Sequence, residues 1–217
     1  MGAKTRVAII GAGNVGGGLG IRLSNSGLPV RFGVRPGTDV KTVLEACKDA
    51  TAVSPEEAAA WGQVVFLAVP GTVALDVARS LAGALAGKVV VDCNNPLIWK
   101  EGPVWTPPPE GSLAAAIAKA APDARVVKGF NTFGAEFHKD PDRAGVAAQV
   151  FLASDDAAAK KLATEVATTA GFRPVDAGPL RNAAVLENLA ILWIHLATVG
   201  GQGRDFTFVM QTVGAPA

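Results

Sequence analysis

Three glycines near the start of the chain have a spacing that suits one kind of chemistry, the binding of a dinucleotide. Gly11, Gly13 and Gly16 form the pattern G-x-G-x-x-G, directly after a short apolar run and at the start of a helical pattern. There the first glycine makes a tight turn, the second lets a pyrophosphate approach the main chain, and the third lets the helix pack on the strand. Amide groups at the helix start then face the phosphates. The pattern predicts a dinucleotide site, and a turn that serves only packing is the alternative.

The end of the second predicted strand indicates which dinucleotide binds. NAD sites usually carry Asp or Glu at this point, on the ribose 2′-hydroxyl. Here Gly33 and Val34 are followed by Arg35, with Thr38 and Lys41 close behind. An arginine can pair with a 2′-phosphate through charge-assisted hydrogen bonds. The sequence favours NADP over NAD, and a plain surface arginine is the competing interpretation.

Other candidate residues follow the strands whose carboxyl ends would meet at the same edge of a parallel sheet. These ends read AVPG (68–71), DCNNPL (92–97) and KGFNTFG (128–134). We expect Val69 and Pro70 to form an apolar wall beside the ribose or the nicotinamide. Three side-chain amides are available to fix a carboxamide or a substrate edge, Asn94, Asn95 and Asn131. Making turns is the alternative role of these asparagines.

The segment 95–111 is long for a connection between a strand and a helix, and it carries Trp99 and Trp105. Such loops are often functional. We interpret it as a wall or lid for a planar substrate, with surface padding as the alternative.

The sequence offers few groups for acid–base chemistry. His138 belongs to no recognisable motif, His195 lies in an apolar helix as a core or interface residue, and Lys128 is interpreted as a structural lysine. Hydride transfer between two planar rings can proceed by positioning, without a dedicated base. We therefore predict no catalytic side chain and no metal site.

The elements that would position these residues alternate along the chain. Predicted strands are 7–10, 29–34, 51–53, 63–69, 88–93 and 125–130, then 148–154, 172–178 and 205–211. Predicted helices are 14–26, 39–49, one capped by Ser54, 72–85, 112–120, 155–170 capped by Ser154, and 182–199. This alternation predicts an α/β fold, a doubly wound Rossmann sheet that is mostly parallel, with a small C-terminal α/β extension. Residues 1–140 would form the dinucleotide-binding domain and 141–217 a small part that completes the cleft, across a soft boundary.

Composition narrows the class of protein. In 217 residues, 49% are hydrophobic and 18% charged, so a sizeable core can form. The net charge of +1 gives no sign of nucleic-acid binding. Two cysteines make no disulfide framework, and the apolar stretch 190–200 is too short to span a membrane. We expect a cytoplasmic protein.

Several blocks of the sequence resemble a known family. They include GAGNVGGGLGIRL, RFGVRP, VVDCNNPL, VVKGFNTFGAEFHKDP and FRPVDAGPLRNAAVLENLAIL. Together they resemble the deazaflavin-dependent NADP oxidoreductases, the coenzyme F420-dependent family, and they are similar to the reductase domain of transmembrane metalloreductases. The resemblance implies a Rossmann domain that binds NADP(H) and transfers a hydride to a flavin-like ring, F420, FMN or FAD, often in a homodimer.

The resemblance also implies roles for individual residues. Gly11, Gly13, Asn14, Val15 and Gly16 would hold the pyrophosphate, Arg35 the 2′-phosphate, and Val69, Pro70 and Asn131 the ribose and nicotinamide. The family commonly has a small hydroxyl residue before that arginine, where this chain has Val34. Selectivity for NADP is therefore expected to be weaker.

Two other functions remain open at this stage. One is an imine-type, hydroxy-acid-type or pyrroline-carboxylate-type dehydrogenase, which needs a larger helical C-terminal domain than the residues after the sixth strand provide. The other is a non-enzymatic module that senses NADP, which the shortage of acid–base residues would suit.

Overall fold

The computed structural model describes residues 4–211 and 213, in which short strands alternate with helices. The strands are β1 Val7–Ile10, β2 Val30–Gly33, β3 Ala50–Val53, β4 Val64–Leu67, β5 Val89–Asp92, β6 Leu97–Trp99, β7 Pro103–Trp105, β8 Arg125–Lys128, β9 Gln149–Leu152 and β10 Arg173–Asp176. The helices are α1 Asn14–Asn25, α2 Lys41–Glu45, α3 Pro55–Trp61, α4 Gly71–Ser80, α5 Ala82–Leu85, α6 Leu113–Ala120, α7 Ala135–Lys139, α8 Ala157–Thr169 and α9 Ala183–Thr198. A 3-10 turn, Leu180–Asn182, leads into α9.

Six parallel strands form the main sheet, in the order β3-β2-β1-β4-β5-β8. The last residues of all six stand side by side in one row: Val53, Gly33, Ile10, Leu67, Asp92 and Lys128. The chain builds outward from β1 to β3, then crosses back and builds outward from β4 to β8. Ligands of such sheets bind where this direction reverses, beyond the carboxyl ends of the strands. The arrangement confirms the predicted doubly wound Rossmann fold.

Helices cover both faces of the sheet because its strands are apolar on both sides. In β1, Val7 and Ile9 belong to one buried cluster, with residues of α1 and α8. Ala8 and Ile10 belong to a second cluster on the opposite face, with residues of α3, α4 and α6. All four side chains are at most 2% exposed. Burial on both faces is what a continuous apolar strand predicts.

The C-terminal extension pairs β9 with β10 in a second, parallel sheet and packs α8 against it. Lys128 and Ala153 exchange two backbone hydrogen bonds of 2.8 and 3.0 Å, which join this sheet to the end of β8. The prediction that Ser154 caps α8 is wrong, because the Asp156 carboxylate accepts from the Ala159 amide at the helix start. Ser154 instead donates to the carbonyl of Val126. By contrast, the predicted Ser54 cap of α3 is confirmed, with Glu57 completing a capping box.

The predicted strand 205–211 is wrong. Its residues form no strand, although they are fixed to the body of the protein. Gln149 and Met210 exchange two hydrogen bonds of 2.7 and 3.0 Å, and the Phe206 ring stacks on Trp193 at 5.3 Å. A few side-chain contacts therefore replace the ladder of backbone bonds that the alternating pattern predicted.

Three shorter elements also differ from prediction. Helix α2 covers 41–45 instead of 39–49, because Ser24 and Asn25 accept from the amides of Asp49 and Lys48 and turn the chain toward β3. The segment 95–111 is no plain loop, since β6 and β7 pair as an antiparallel hairpin. Helix α7 was not predicted and packs against α1. In the part of the chain that the structure describes, no helix is long and apolar enough to cross a membrane.

Candidate functional site

The glycine turn between β1 and α1 has the backbone geometry that its spacing predicts. Gly11 has φ +100°, a conformation that L side chains rarely adopt, and a side chain there would overlap with the Ala68 carbonyl oxygen. A side chain at Gly16 would overlap with the carbonyl oxygen of Gly11. The first and third glycines therefore hold the turn tight and bring α1 onto the strand.

The middle glycine has a different environment. A Cβ atom at Gly13 would meet no atom within 4 Å, so packing does not require glycine there. Gly13 is also the N-cap of α1, and no side chain of the described residues accepts from the first amides of the helix. Those amides have no partner inside the helix. The helix thus presents open N–H donors and the positive end of its dipole to whatever lies above Gly13.

Three cavities meet at Gly13. The Arg35 cavity has a volume of about 670 Å³ and is bordered by residues that include Gly11, Val34, Arg35, Thr38, Val69 and Pro70. The Asn95 cavity has about 360 Å³ and is bordered by residues that include Asn14, Val15, Val69, Pro70, Cys93, Asn94, Asn95 and Leu97. The third, of about 830 Å³, runs between α1 and α7. The first two together follow the carboxyl edge of the sheet, on either side of the point where strand order reverses.

Arg35 lies at the outer end of its cavity and is exposed. Among the described residues, no carboxylate lies within ion-pair distance of its guanidinium. The neighbouring Arg31 differs, because its guanidinium stacks on the Trp61 ring at 4.5 Å. Arg35 is therefore available for an anionic ligand in the Arg35 cavity.

The three candidate asparagines differ in which of their hydrogen-bonding groups are left for a ligand. Asn94 donates its side-chain N–H groups to the Leu67 carbonyl, at 3.0 Å, and to the Asp92 carboxylate, at 2.8 Å. Only its side-chain oxygen is left for a ligand. The structure therefore uses Asn94 chiefly to tie β4 to the end of β5.

Asn95 and Asn131 bind each other. Asn131 donates to the Asn95 side-chain oxygen at 2.8 Å and to the Leu186 carbonyl at 3.0 Å, and Asn95 donates back to the Asn131 carbonyl at 3.1 Å. These bonds fix which end of the Asn131 amide is nitrogen. Its side-chain oxygen is buried and accepts no hydrogen bond from the described residues. The structure therefore places an unsatisfied acceptor next to a residue that borders the Asn95 cavity.

The structure confirms the interpretation of Lys128 as a structural lysine. It is fully buried, and its ammonium lies 2.8 Å from the Asp92 carboxylate and 3.2 Å from the Glu187 carboxylate. Glu187 also accepts from the Trp105 indole at 3.0 Å, which anchors the hairpin to α9. Sequence reasoning missed Glu187, although a lone acid in the apolar pattern of 182–199 is a signal of a buried partner.

The remaining titratable candidates are unsuited to proton transfer. Burial lowers the pKa of His138, which binds the Phe130 carbonyl through Nε2, so the ring stays neutral. Burial, and then the charge of Asp92, raises the pKa of the Cys93 thiol, so Cys93 borders the Asn95 cavity as a neutral group. His195 is exposed, which contradicts a core role. No group of three or more His, Cys, Asp or Glu side chains within 4–211 and 213 could hold a metal ion.

With this strand order and this glycine turn, the chain is a Rossmann-fold protein of the dinucleotide-binding class. Residues 6–96 match the family model described as NADP oxidoreductase coenzyme F420-dependent. The F420-dependent NADP reductase of Methanothermobacter marburgensis is 30% identical over 213 residues, covering 88% of this chain and 92% of that protein. The chain belongs to the coenzyme F420-dependent NADP oxidoreductase family, and it is an NADP-dependent oxidoreductase.

Two further proteins are similar over most of the chain. Metalloreductase STEAP3 of Rattus norvegicus is 32% identical over 186 residues, which cover 86% of this chain but 36% of that protein. A crystal structure from Arthrobacter sp. FB24, provisionally named an F420-dependent NADP reductase, shares 30% identity and a TM-score of 0.85 over 96% of this chain and all of that one. This chain thus spans about a third of the metalloreductase and the whole length of the bacterial protein.

Proposed function

We propose that this protein transfers a hydride between NADP(H) and a deazaflavin or flavin acceptor, with coenzyme F420, FMN and FAD as candidates. The observation that carries the proposal is the open start of α1 at Gly13, where three cavities meet. A dinucleotide can lie over it with one end in the Arg35 cavity and the other in the Asn95 cavity. Relatives named as F420-dependent NADP reductases support the deazaflavin acceptor.

The residues present fit this cofactor. We propose that the turn residues Gly11, Gly13, Asn14, Val15 and Gly16 hold the pyrophosphate, because the space above Gly13 is open and the first amides of α1 have no partner inside the helix. Arg35 would hold the 2′-phosphate. Val69, Pro70, Asn94 and Asn131 would hold the ribose and nicotinamide, with the unsatisfied Asn131 oxygen as the natural acceptor for a carboxamide N–H. When bound, the nicotinamide supplies or receives the hydride at carbon 4.

The protein's own part in the reaction is positioning. Val69 and Pro70 border both cavities, so they form a continuous apolar wall along the cofactor path. Burial raises the pKa of the Cys93 thiol and lowers the pKa of the His138 ring, which favours the uncharged form of both. Holding two rings in contact and excluding water suffices for hydride transfer.

The experiment that tests this function is stopped-flow mixing of the NADPH-loaded protein with F420, FMN and FAD in separate runs. We expect NADPH absorbance to fall together with the absorbance of at least one oxidised acceptor, and NADPH deuterated at carbon 4 to slow both signals. Tight NADPH binding with no turnover of any acceptor would favour the NADP-sensing module. Turnover of imines or hydroxy acids instead would favour that type of dehydrogenase.

We also propose that residues 141–217 complete the cleft that residues 1–140 begin. Leu186 and Glu187 of α9 support this division, because they bind Asn131 and Lys128 at the edge of the cofactor path. A cytoplasmic location stays a prediction. It agrees with two free cysteines, Cys47 and Cys93.

A homodimer formed through α9 is a further part of the proposal. Val185, Leu192 and Val199 recur at seven-residue spacing and are 64%, 48% and 50% exposed. We expect the wild-type protein to have the mass of a dimer in light scattering, and Leu192→Glu to have the mass of a monomer, since a charge cannot be buried there without a partner. Ala158→Glu, at an exposed position of α8, should leave the dimer intact. A monomeric wild-type protein would contradict the proposal.

A further inference from the structure

Three fully buried charged side chains meet behind the wall of the Asn95 cavity. Asp92 ends β5, Lys128 ends β8 directly beside it, and Glu187 reaches them from α9. The Lys128 ammonium lies 2.8 Å from Asp92 and 3.2 Å from Glu187, and it also donates to the Asn94 carbonyl. We call Asp92, Lys128 and Glu187 the buried charge cluster.

The hydrogen bonds determine the protonation state of this cluster. Lys128 donates to the Asp92 carboxylate and the Asn94 carbonyl and forms an ion pair with Glu187, so its nitrogen faces three oxygens, as suits a protonated amine. Every carboxylate oxygen faces an N–H donor. Asp92 accepts from the backbone and side-chain nitrogens of Asn94 on one oxygen and from Lys128 on the other. Glu187 accepts from the Leu113 amide on the oxygen that lies 3.2 Å from the Lys128 ammonium, and from the Trp105 indole on the other oxygen.

Among the described residues, the hydrogen bonds bring only N–H donors to the oxygens of Asp92 and Glu187, and these contacts assign both side chains as carboxylates. One positive and two negative charges leave the buried charge cluster with a net charge of −1. A net charge buried away from water acts over longer distances than one at the surface, because solvent screens it less.

The cluster lies close to the cavity where we place the nicotinamide. Cys93 and Asn94, which follow Asp92 along the chain, both border the Asn95 cavity. Consecutive residues are about 3.8 Å apart, so the charge lies within about 10 Å of the cavity wall. Burial and then the negative charge of Asp92 raise the pKa of the Cys93 thiol at that wall, and the positive charge of Lys128 opposes them more weakly.

We propose that the buried charge cluster stabilises the oxidised, positively charged nicotinamide and so favours hydride transfer from NADPH to the acceptor. The hydride carries two electrons and a proton from carbon 4 to the acceptor ring, and a positive charge is left on the nicotinamide ring. A net charge of −1 behind the cavity lowers the free energy of that form and not of the neutral reduced form. This inference rests on the proposed function, and it assigns Glu187 as a positioning residue that acts through charge.

The test is the ratio of the dissociation constants for NADP+ and NADPH, measured by calorimetry. Glu187→Gln removes one negative charge and keeps the size of the side chain, although its amide nitrogen can face the Trp105 indole. The double variant Glu187→Gln, Trp105→Phe removes that conflict. In both we expect the ratio to rise by about fivefold, the order of magnitude for one charge at about 10 Å and an effective dielectric constant of about 30.

Trp105→Phe alone is the matched control, since it removes the hydrogen bond to Glu187 and leaves the charge. We expect its ratio to stay within about twofold of wild type, whatever happens to the unfolding temperature. An unchanged ratio in the double variant would overturn the inference, as would an equal rise in the control. If the wild-type protein bound neither form, the proposed function itself would fail, which is a distinguishable result.

Discussion

Gly13→Leu should fold as the wild type does and bind NADPH at least about a hundredfold more weakly. The fold should persist because a Cβ atom at this position would meet no described atom within 4 Å beyond its own neighbours along the chain, so a side chain begins in open space. Binding should collapse because the new side chain fills the space above the first amides of α1. Two hydrogen bonds to a charged phosphate, each worth about 1.5–3 kcal/mol, account for a loss of that order. Calorimetry with NADPH and thermal unfolding measure the two quantities separately.

Gly83→Leu is the matched control for this substitution. A Cβ atom at Gly83 would also meet no described atom within 4 Å beyond its chain neighbours, and the residue borders none of the three cavities. We expect it to leave NADPH affinity unchanged. If Gly13→Leu kept wild-type affinity, the open start of α1 would have no part in binding, and the proposed function would lose the observation that carries it.

Arg35→Ala should weaken NADPH binding by about tenfold to a hundredfold and leave NADH binding almost unchanged. The reason is the loss of charge-assisted hydrogen bonds to the 2′-phosphate, each worth about 1.5–3 kcal/mol, which NADH never forms. The measurement is the pair of dissociation constants for the two cofactors, at one ionic strength because the site is exposed.

Arg31→Ala tests whether any positive charge near the cavity strengthens NADPH binding, or only that of Arg35. Arg31 lies in β2, four residues before Arg35, but its guanidinium stacks on Trp61, so its removal should change both dissociation constants little. Equal weakening of NADPH and NADH in Arg35→Ala would refute the role of Arg35. Val34 borders the same cavity and has no hydroxyl group to donate to a 2′-phosphate. A weakening of NADPH binding at the lower end of the expected range, about tenfold, would therefore agree with the structure.

How far the sequence predicted the site depends on the distance along the chain between the residues involved. The turn from Gly11 to Gly16 is local, so its spacing sufficed to predict its position and backbone geometry. The carboxyl ends of β4, β5 and β8 were also predictable, because parallel strands bring such ends to one edge. Contacts among Asp92, Lys128 and Glu187 were not, since they join residues 36 and more positions apart through side chains alone.

The errors in the fold have a similar origin. Apolar and polar residues alternate in the segment 205–211 as they do in a strand, but none of the described strands pairs with it. The Gln149 side chain instead forms two hydrogen bonds with the backbone of Met210. The hairpin of β6 and β7 was not predicted, because the segment contains several prolines and each of its strands has only three residues. Its anchor, the Trp105 indole on Glu187, depends on tertiary packing.

The Arg35 cavity and the Asn95 cavity meet at Gly13, and this arrangement affects how the specificity of such a protein can change. Val34, Arg35 and Thr38 border only one of the two cavities along the sheet edge, and Cys93, Asn95 and Leu97 border only the other. The side chains common to both are Ala68, Val69 and Pro70. On the cofactor path proposed above, coenzyme choice at one end and electron-acceptor choice at the other would change as separate traits, with little epistasis between them.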